Sequence, residues 1–428
     1  MVAGLSAQEA GQDVLIIEAD AVPTGSTALS AGLIPAAGTA IQRAAGIDDS
    51  PALFSDDIQA KAKGENDQSL VDYMTEHAAE AIDWLADTHG LPFCVVTDFD
   101  YPGHSRRRMH GLPTRSGAEL IDALRTRCEA CAVDIICERR AFALFHEDAE
   151  ITGVAVSRPD GQTETIGCQR LILACNGFGG NRDLVGQHMP DIKDALWFGH
   201  DGNKGEAVRW ADAIGAQTAH LGAYQGHGNV AHPHGILITW AVMTEGGFQV
   251  NRDGVRFWNE AQGYSEAARA VLSQPGAEAF AVFDERIAAI ARQFEDFKRA
   301  EKAGAIKSGK TIEDLADALG LPAHNLQKTL ADVPAGGSDA FGRTFGPERL
   351  TAPFHGVRVT GALFHTQGGL RTGPAGRVLR KDGSAFKSLF AGGGAACGVS
   401  GRADSGYLSG NGLLSAVVLG RAAGKSAL

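Results

Sequence analysis

Several residues in this sequence could do chemistry by type and spacing. Glu18 closes the apolar run "DVLIIE", which follows the Ala-rich helical stretch "VAGLSAQEAG" and precedes "ADAVPTGSTALSAGLIPAAGT", a loop of small hydroxyl and glycine residues. An acid at the tip of a β-strand is the group that hydrogen-bonds the ribose of a bound dinucleotide, and such a loop can meet a phosphate or ribityl chain through backbone N–H and hydroxyl groups. Glycines cluster again in "ACNGFGGN", "QGGL", "AGGGAACG" and "SGNG". These clusters mark places where backbone turns tightly or comes close to a ligand. Cys128-x-x-Cys131 has the spacing of a metal or redox pair, but no second pair stands at zinc-ribbon distance, and both thiols fall on the helical pattern "GAELIDALRTRCEAC". Packing is the better reading. His232 and His234 in "AHPHG" lack a third ligand at suitable spacing, so they read as a loop and no metal site is expected.

Composition narrows the partners. At 428 residues the chain is too long for one simple core, and two lobes with room for a large ligand are expected. The formal net charge is −12, with Lys and Arg scattered along the chain, which argues against nucleic acid or an anionic membrane and leaves a small molecule as the expected substrate. The seven cysteines are an odd number in a large chain, so reduced thiols are expected and a disulfide framework is not. No apolar run reaches membrane-spanning length, and a soluble, cytoplasmic protein is expected.

The elements that must position these residues follow from periodicity. A helix and the strand Val14–Glu18 open the chain; helical patterns then run over Ser55–Lys63, Asp67–Thr88 and Ser116–Cys131. "DIICERRAFALFHEDAEITGVAVSR" reads as a hairpin or meander with turns at Glu147–Asp148 and Pro159–Gly161. "CQRLILACNGFGG" is an apolar strand running straight into glycines, as a buried parallel strand does when it delivers backbone to a ligand at its carboxyl end. From about Gly222 the character changes to a second, α+β lobe. Its segment "TIEDLADALGLPAHNLQKTLADV" has a helix-turn-helix pattern but acidic surroundings and no basic face, so two packed helices are expected there. "SLFAGGG" near the end repeats the apolar-strand-then-glycine pattern of "LILACNGFGG", and a final helix covers Gly412–Leu428. Both glycine-tipped strands are therefore expected in one sheet, with the middle lobe inserted.

Six ordered stretches carry a resemblance: "EADAVPTGSTALSAGLIPAAGT", "RLILACNGFGGNRD", "LITWAVMTEGGFQVNRDGVRFWNE", "HTQGGLRT", "GRVLRKDGSAFKSLFAGGG" and "GYLSGNGLLSAVVLGRAAG". With these, nearly the whole chain resembles the superfamily of FAD-dependent fumarate reductases and 3-ketosteroid dehydrogenases. The resemblance implies an α/β fold, a Rossmann-like FAD-binding domain with an inserted α+β cap domain, divided as 1–222, 223–366 and 367–428. It implies FAD as cofactor. Attachment is expected to be non-covalent, since the loop after Glu18 offers no His where some relatives have one. Position by position, Glu18 should hold the adenosine ribose, and Gly25, Ser26, Thr27, Ser30, Ala31 and Gly32 should border the pyrophosphate and flavin. Ala141 should meet the adenine, and Ala174, Asn176 and Gly177 should line the dinucleotide. Gly393 and Gly394 should approach the ribityl chain, with Gly410, Leu413 and Leu414 beside the isoalloxazine. A helix starting near Gly412 would aim its N-terminus at the flavin pyrimidine, where negative charge develops on reduction.

The resemblance also shows departures. Where the fumarate reductases have an arginine as proton donor this sequence has Tyr264; the Glu and Arg of the associated proton path become Trp240 and Met243; and the clamp arginine becomes Tyr407. None of the new residues can make a bidentate contact to a carboxylate. The ketosteroid dehydrogenase branch is similar in placing a tyrosine a few residues after "RFxNE", here Tyr264, and a tyrosine and serine in "GYxSG", here Tyr407 and Ser409. Moving a hydride from the carbon β to a ketone onto flavin requires loss of an α proton, which a tyrosine of lowered pKa can accept while a donor polarises the ketone. The resemblance thus implies Tyr264 as proton acceptor, with Tyr407 and Ser409 as relay or orienting groups. His365 in "FHTQGG" and His227 in "YQGHGN" match substrate-binding positions of the fumarate reductase branch; a hinge role is the alternative.

Three functions stay open at this point. One is a flavin dehydrogenase acting next to a ketone on a hydrophobic, steroid-like substrate; another is a flavoprotein acting on a different unsaturated acid; the third is a degenerate flavoprotein without activity. In either enzymatic case the electron acceptor is expected to be a separate molecule, because no haem-binding Cys-x-x-Cys-His is present. By register with the family, the first strand and the Gly-rich loop of the FAD domain lie upstream of Met1, and a natural start roughly 15 to 20 residues earlier is expected.

Overall fold

The computed structural model describes residues 1–148 and 150–426. Helix α1 (Val2–Glu9) leads into strand β1 (Leu15–Ile17), and helices α2 (Gln68–Asp87) and α3 (Gly117–Ala130) follow. Next come β2 (Asp134–Ile136), β3 (Arg140–Glu147), β4 (Glu150–Ser157), β5 (Thr163–Gly167) and the short β6 (Leu171–Leu173). The middle of the chain contributes β7 (Tyr224–Ala231), β8 (Phe248–Val250), α4 (Tyr264–Leu272) and β9 (Glu278–Asp284). It continues through α5 (Ile312–Leu319), α6 (Ala323–Asp332) and β10 (Phe354–Thr366), and the chain closes with β11 (Ala385–Ala391) and α7 (Asn411–Lys425). Two compact units result: Met1–Met189, Gly199–Tyr224 and His365–Leu428 form one, and Pro190–Phe198 with Gln225–Phe364 the other.

In the first unit the helices form where local chemistry starts them. The Asp67 side chain accepts from Ser69 N at 3.1 Å to cap α2, and Ser116 accepts from Ala118 N at 3.2 Å to cap α3. The apolar positions Leu70, Val71, Met74, Ala78, Ala81, Ile82 and Leu85 then recur on one face of α2 and are buried. That face joins Leu5, Leu389 and Leu414 in the main core. Helices α1 and α7 are tied together by Ser6 Oγ, which donates to Arg421 O at 2.8 Å.

The glycine-tipped strands share a sheet, as the sequence pattern predicts, and are neighbours in it: β6 pairs in parallel with β11, Leu171 opposite Leu389 and Leu173 opposite Ala391. Strand β1 pairs in parallel with β2, Leu15 opposite Asp134. The two parallel pairs belong to separate sheets, and Leu15 and Ile136, at opposite ends of the β1–β2 pairing, are each 41% exposed. Strands β3, β4 and β5 make the expected antiparallel meander, turning at Asp148 (φ +47°) and Gly161 (φ +80°).

The second unit is built on a mixed sheet in the order Ile236–Leu237, β7, β10, β9, β8. Leu196–Trp197 adds in parallel to β10 beside Ala362–Leu363, which is why 190–198 groups with this unit. Every residue of β9 is buried, including both acids. Glu278 is paired by Arg252 and Arg358, and Asp284 caps the next helix by accepting from Ile287 N, so neither carboxylate is left uncompensated. The two helices α5 and α6 follow a Thr311–Asp314 capping box and are separated by Gly320 in the left-handed conformation. Leu315, Ala316 and Leu326 pack them into this unit's core.

Candidate active site

The ends of β6 and β11 bring bare backbone together. A Cβ on Gly177 would stand 1.9 Å from Thr366 Oγ1, and one on Gly394 would stand 2.3 Å from Asn176 Oδ1, so only glycine permits this approach. Asn176 itself has φ +60°, and its Oδ1 accepts from Gly177 N at 2.8 Å. Ala174 is exposed just past β6, whereas Gly393 lies beside Ala416 with its Cβ direction 3.4 Å from that methyl. Gly410 (φ +86°) precedes α7, whose first turn has no side-chain cap; Leu414 is buried in the core and Leu413 is half-buried. Asn411 N donates to Leu408 O at 3.1 Å, and the Gly412 and Leu413 amides that follow it keep hydrogen-bonding capacity for a partner outside the helix.

Glu18 follows β1 directly and is half-buried, with Oε1 accepting from Asp20 N at 3.0 Å. Gly25, Ser26 and Thr27 form a single helical turn. Ser26 Oγ accepts from Asn203 Nδ2 at 2.8 Å; Ser30 Oγ donates to Thr27 O at 2.7 Å and accepts from Gly32 N at 3.0 Å. The Ser30 hydroxyl therefore shapes this loop, with Ala31 exposed and Gly32 packed against Ser116 and Gly117. Ala141 is half-buried on β3, opposite Val156, where the register shifts before Ala143.

Among the residues expected to do chemistry, Tyr264 and His227 belong to the second unit, and His365, Tyr407 and Ser409 to the first. Tyr264 begins α4, and the ring of His227, from β7, stacks on it with centroids 5.1 Å apart. His227 also stacks on Phe364 at 5.4 Å and meets the Trp240 ring edge-on at 5.6 Å. Its burial pushes the imidazole down to about 3, so it is neutral near pH 7. Trp240 and Met243 are themselves core residues, 8% and 1% exposed. In the first unit His365 meets Tyr407 edge-on at 5.3 Å, and the Tyr407 hydroxyl accepts from Gly410 N at 3.2 Å. Burial pushes the Tyr407 phenol up and the His365 imidazole down to about 4. Ser409 is buried, and its carbonyl lies 3.0 Å from His104 Nε2.

Comparison with known proteins places this arrangement. The FAD binding domain family matches residues 1–413. The chain belongs to this FAD-binding family. It is 30% identical to a probable fumarate reductase, Ifc3, of Shewanella frigidimarina over 99% of this chain and 72% of that protein. It superposes on the open conformation of a flavocytochrome c3 fumarate reductase with a TM-score of 0.84 and 29% identity, covering 99% of this chain and 75% of that one. It also superposes on the 3-ketosteroid-Δ4-(5α)-dehydrogenase of Rhodococcus jostii RHA1, in complex with 4-androstene-3,17-dione, with a TM-score of 0.78 and 25% identity over 99% and 93% of the chains.

The protein is accordingly an FAD-dependent oxidoreductase of the fumarate reductase and ketosteroid dehydrogenase family, with a Rossmann-like FAD domain. Its residues fit the cofactor. The side-chain-free contact of Gly177 with Gly394 and the left-handed Asn176 give a bare backbone surface for close approach of a dinucleotide, and the uncapped first turn of α7 offers it the Gly412 and Leu413 amides. No described helix is long and apolar enough to cross a membrane. Sequence reasoning did not single out Gln367, Ser400 and Asn411, which form a buried hydrogen-bonded chain ending on His365. "HTQGG" and "GNG" flag the backbone around Gln367 and Asn411, but nothing local connects their side chains.

Proposed function

We propose that this enzyme desaturates a C–C bond next to a ketone on a hydrophobic, steroid-like substrate, in the manner of the 3-ketosteroid dehydrogenases. One observation carries the reading: positions 240 and 243, to which the resemblance assigns the fumarate reductase proton path, hold Trp and Met, both buried in the second unit's core, with the Trp240 ring edge-on to Tyr264. Neither side chain can carry a proton, and Tyr264 and Tyr407, where arginines would be expected, cannot clamp a carboxylate.

FAD, held by Glu18, the 25–32 loop and the turns at Ala174–Gly177 and Gly393–Gly394, supplies the hydride acceptor when bound. The substrate loses a hydride from its β carbon and a proton from its α carbon, leaving a C=C bond conjugated with the ketone. Tyr264 takes the α proton. Neutral His365 donates to the ketone oxygen, and Tyr407, with Ser409, orients that group. His227 holds the Tyr264 ring by stacking and Trp240 by an edge-on contact. Reoxidation falls to a separate acceptor molecule.

Anaerobic addition of a 3-ketosteroid to the purified flavoprotein tests this: bleaching of the oxidised flavin band with formation of the desaturated steroid is expected. The fumarate reductase names of its relatives favour a second reading, reduction of another unsaturated acid. Oxidised flavin in the presence of steroid ketones, together with turnover of an unsaturated acid by reduced viologen, would replace the first reading by the second.

A further inference from the structure

We propose that Gln367 is a positioning residue that sets the tautomer of His365, leaving Nδ1 bare and Nε2 protonated, so that the imidazole acts as a neutral hydrogen-bond donor. The proposal rests on the reading of His365 as the group that meets the substrate carbonyl.

The argument follows one buried chain of hydrogen bonds. Gln367 Nε2 lies 3.0 Å from His365 Nδ1. Gln367 Oε1 accepts from Ser400 Oγ at 2.7 Å, and Ser400 Oγ accepts from Asn411 Nδ2 at 3.3 Å. Gln367, Ser400 and Asn411 are 5%, 1% and 0% exposed, so water does not compete along this path. Since an amide has one donor end and one acceptor end, the polarity of every member is linked to that of the others. In the polarity just given, Gln367 presents N–H to the imidazole, which must accept at Nδ1. The proton of the neutral ring then sits on Nε2.

The reversed polarity turns both amides and runs His365 Nδ1–H to Gln367, Gln367 to Ser400 and Ser400 to Asn411. It gives Nδ1–H a second acceptor, Thr366 O, at 3.4 Å, the outer limit for a hydrogen bond. Against that, it leaves the NH₂ group of a fully buried Asn411 facing the place where now a single acceptor, Asn411 Oδ1, lacks a partner. Buried donors without partners are rarer and dearer than under-satisfied carbonyls, so the first polarity holds.

The geometry on the other side of the ring agrees. A Cβ on Gly412 would lie 3.1 Å from His365 Cε1 and 3.4 Å from Nε2, so glycine at this position keeps the edge carrying Nε2 uncovered by a side chain. Protonating Nδ1 would set N–H against the Gln367 amide N–H, which disfavours the imidazolium and agrees with a ring that stays neutral well below pH 7. Such a ring stabilises developing charge on a carbonyl oxygen without surrendering its own proton.

Protein labelled with ¹⁵N-histidine tests the tautomer directly, with the His365 signals assigned by their loss in His365→Gln. The wild type is expected to show bare Nδ1 and protonated Nε2 from about pH 6 to about pH 8. In Gln367→Glu a carboxylate replaces the donor and should draw a proton to Nδ1, giving the other tautomer or the imidazolium. A new ionisation in the kcat/KM profile near neutral pH should accompany it, with kcat lowered about tenfold. Gln367→Met, of similar shape, should give mixed tautomers and covers the case in which the Glu variant does not fold. A wild-type ring protonated at Nδ1, or signals unmoved in both variants, overturns the proposal. A correct tautomer in a protein that leaves ketosteroids unchanged would sink the substrate reading and leave the positioning role standing.

Discussion

The imidazole of His227 lies nearly parallel to the ring of Tyr264, 18° between planes and 5.1 Å between centroids. Because burial keeps His227 neutral, the contact brings no positive charge to the phenol; it fixes the ring by packing. The function proposed for Tyr264 therefore resides in its hydroxyl. Tyr264→Phe keeps the stack and removes the proton acceptor, so kcat for ketone desaturation should fall by about 10² to 10⁴. Loss of one hydroxyl interaction costs about 1 kcal/mol of stability, and the flavin content should not change. Steady-state assays with an artificial acceptor, alongside the flavin absorbance, check both halves of this expectation.

Acid should unfold the protein through its buried histidines. His227 is held down to about 3 and His110 to about 4, each mainly by burial, with His110 enclosed by contacts to Thr39 Oγ1 and Arg108 O. Unfolded histidine titrates near 6.5, so between that pH and the folded values the unfolded chain binds more protons. Stability is accordingly full above about pH 6.5 and declines as the pH falls toward 4 and then 3, by up to about 1.4 kcal/mol per pH unit for each such group. His227→Phe keeps an aromatic ring in the stack and removes one of these groups. The slope of Tm against pH between about 6 and about 4 should be shallower in this variant than in the wild type.

The backbone contact at the ends of β6 and β11 should control cofactor retention. Gly177→Ala puts a methyl 1.9 Å from Thr366 Oγ1 at the end of β10, and Gly394→Ala puts one 2.3 Å from Asn176 Oδ1, so either displaces the turn that follows β6. Both variants should purify with a lower flavin-to-protein ratio. Gly161→Ala, in an exposed turn with nothing near its Cβ, is the control: it strains a left-handed residue at about 1 kcal/mol yet should leave the ratio unchanged. Equal flavin loss in all three would show that general destabilisation, not this contact, governs retention.

How far the sequence foretells these features depends on how local they are. Helix α2 is legible because its cap, Asp67, and its apolar stripe lie within one continuous segment. That β6 and β11 share a sheet is also legible, since both are apolar strands running into glycines, whereas their direct pairing emerges only from the fold. The Gln367 chain is not: Ser400 stands 33 residues from Gln367, and polar side chains carry no periodic signal that says which of them will meet. The aromatic stack is hidden for a similar reason. Residues 227, 240, 264 and 364 come from separate elements, and only the tertiary fold shows that Trp240 packs against Tyr264.

That packing makes a final expectation quantitative. Restoring a fumarate-type proton path would need an acid at 240 and a base at 243, but both positions lie inside an apolar core beside Tyr264 and Trp258. Trp240→Glu removes a large buried ring and introduces an unpaired carboxylate, and should cost at least about 3 kcal/mol. Adding Met243→Arg supplies the missing partner three residues on, so the double variant should recover part of the loss, with a coupling of about 1 to 3 kcal/mol in a double-mutant cycle from denaturant unfolding. Fumarate reduction should remain absent from the double variant, because Tyr264 still stands at the position to which the resemblance assigns the proton-donating arginine. If the double variant reduces fumarate while Tyr264 is in place, then the tyrosine can serve as the acid for a dicarboxylate, and the ketone reading loses its main support.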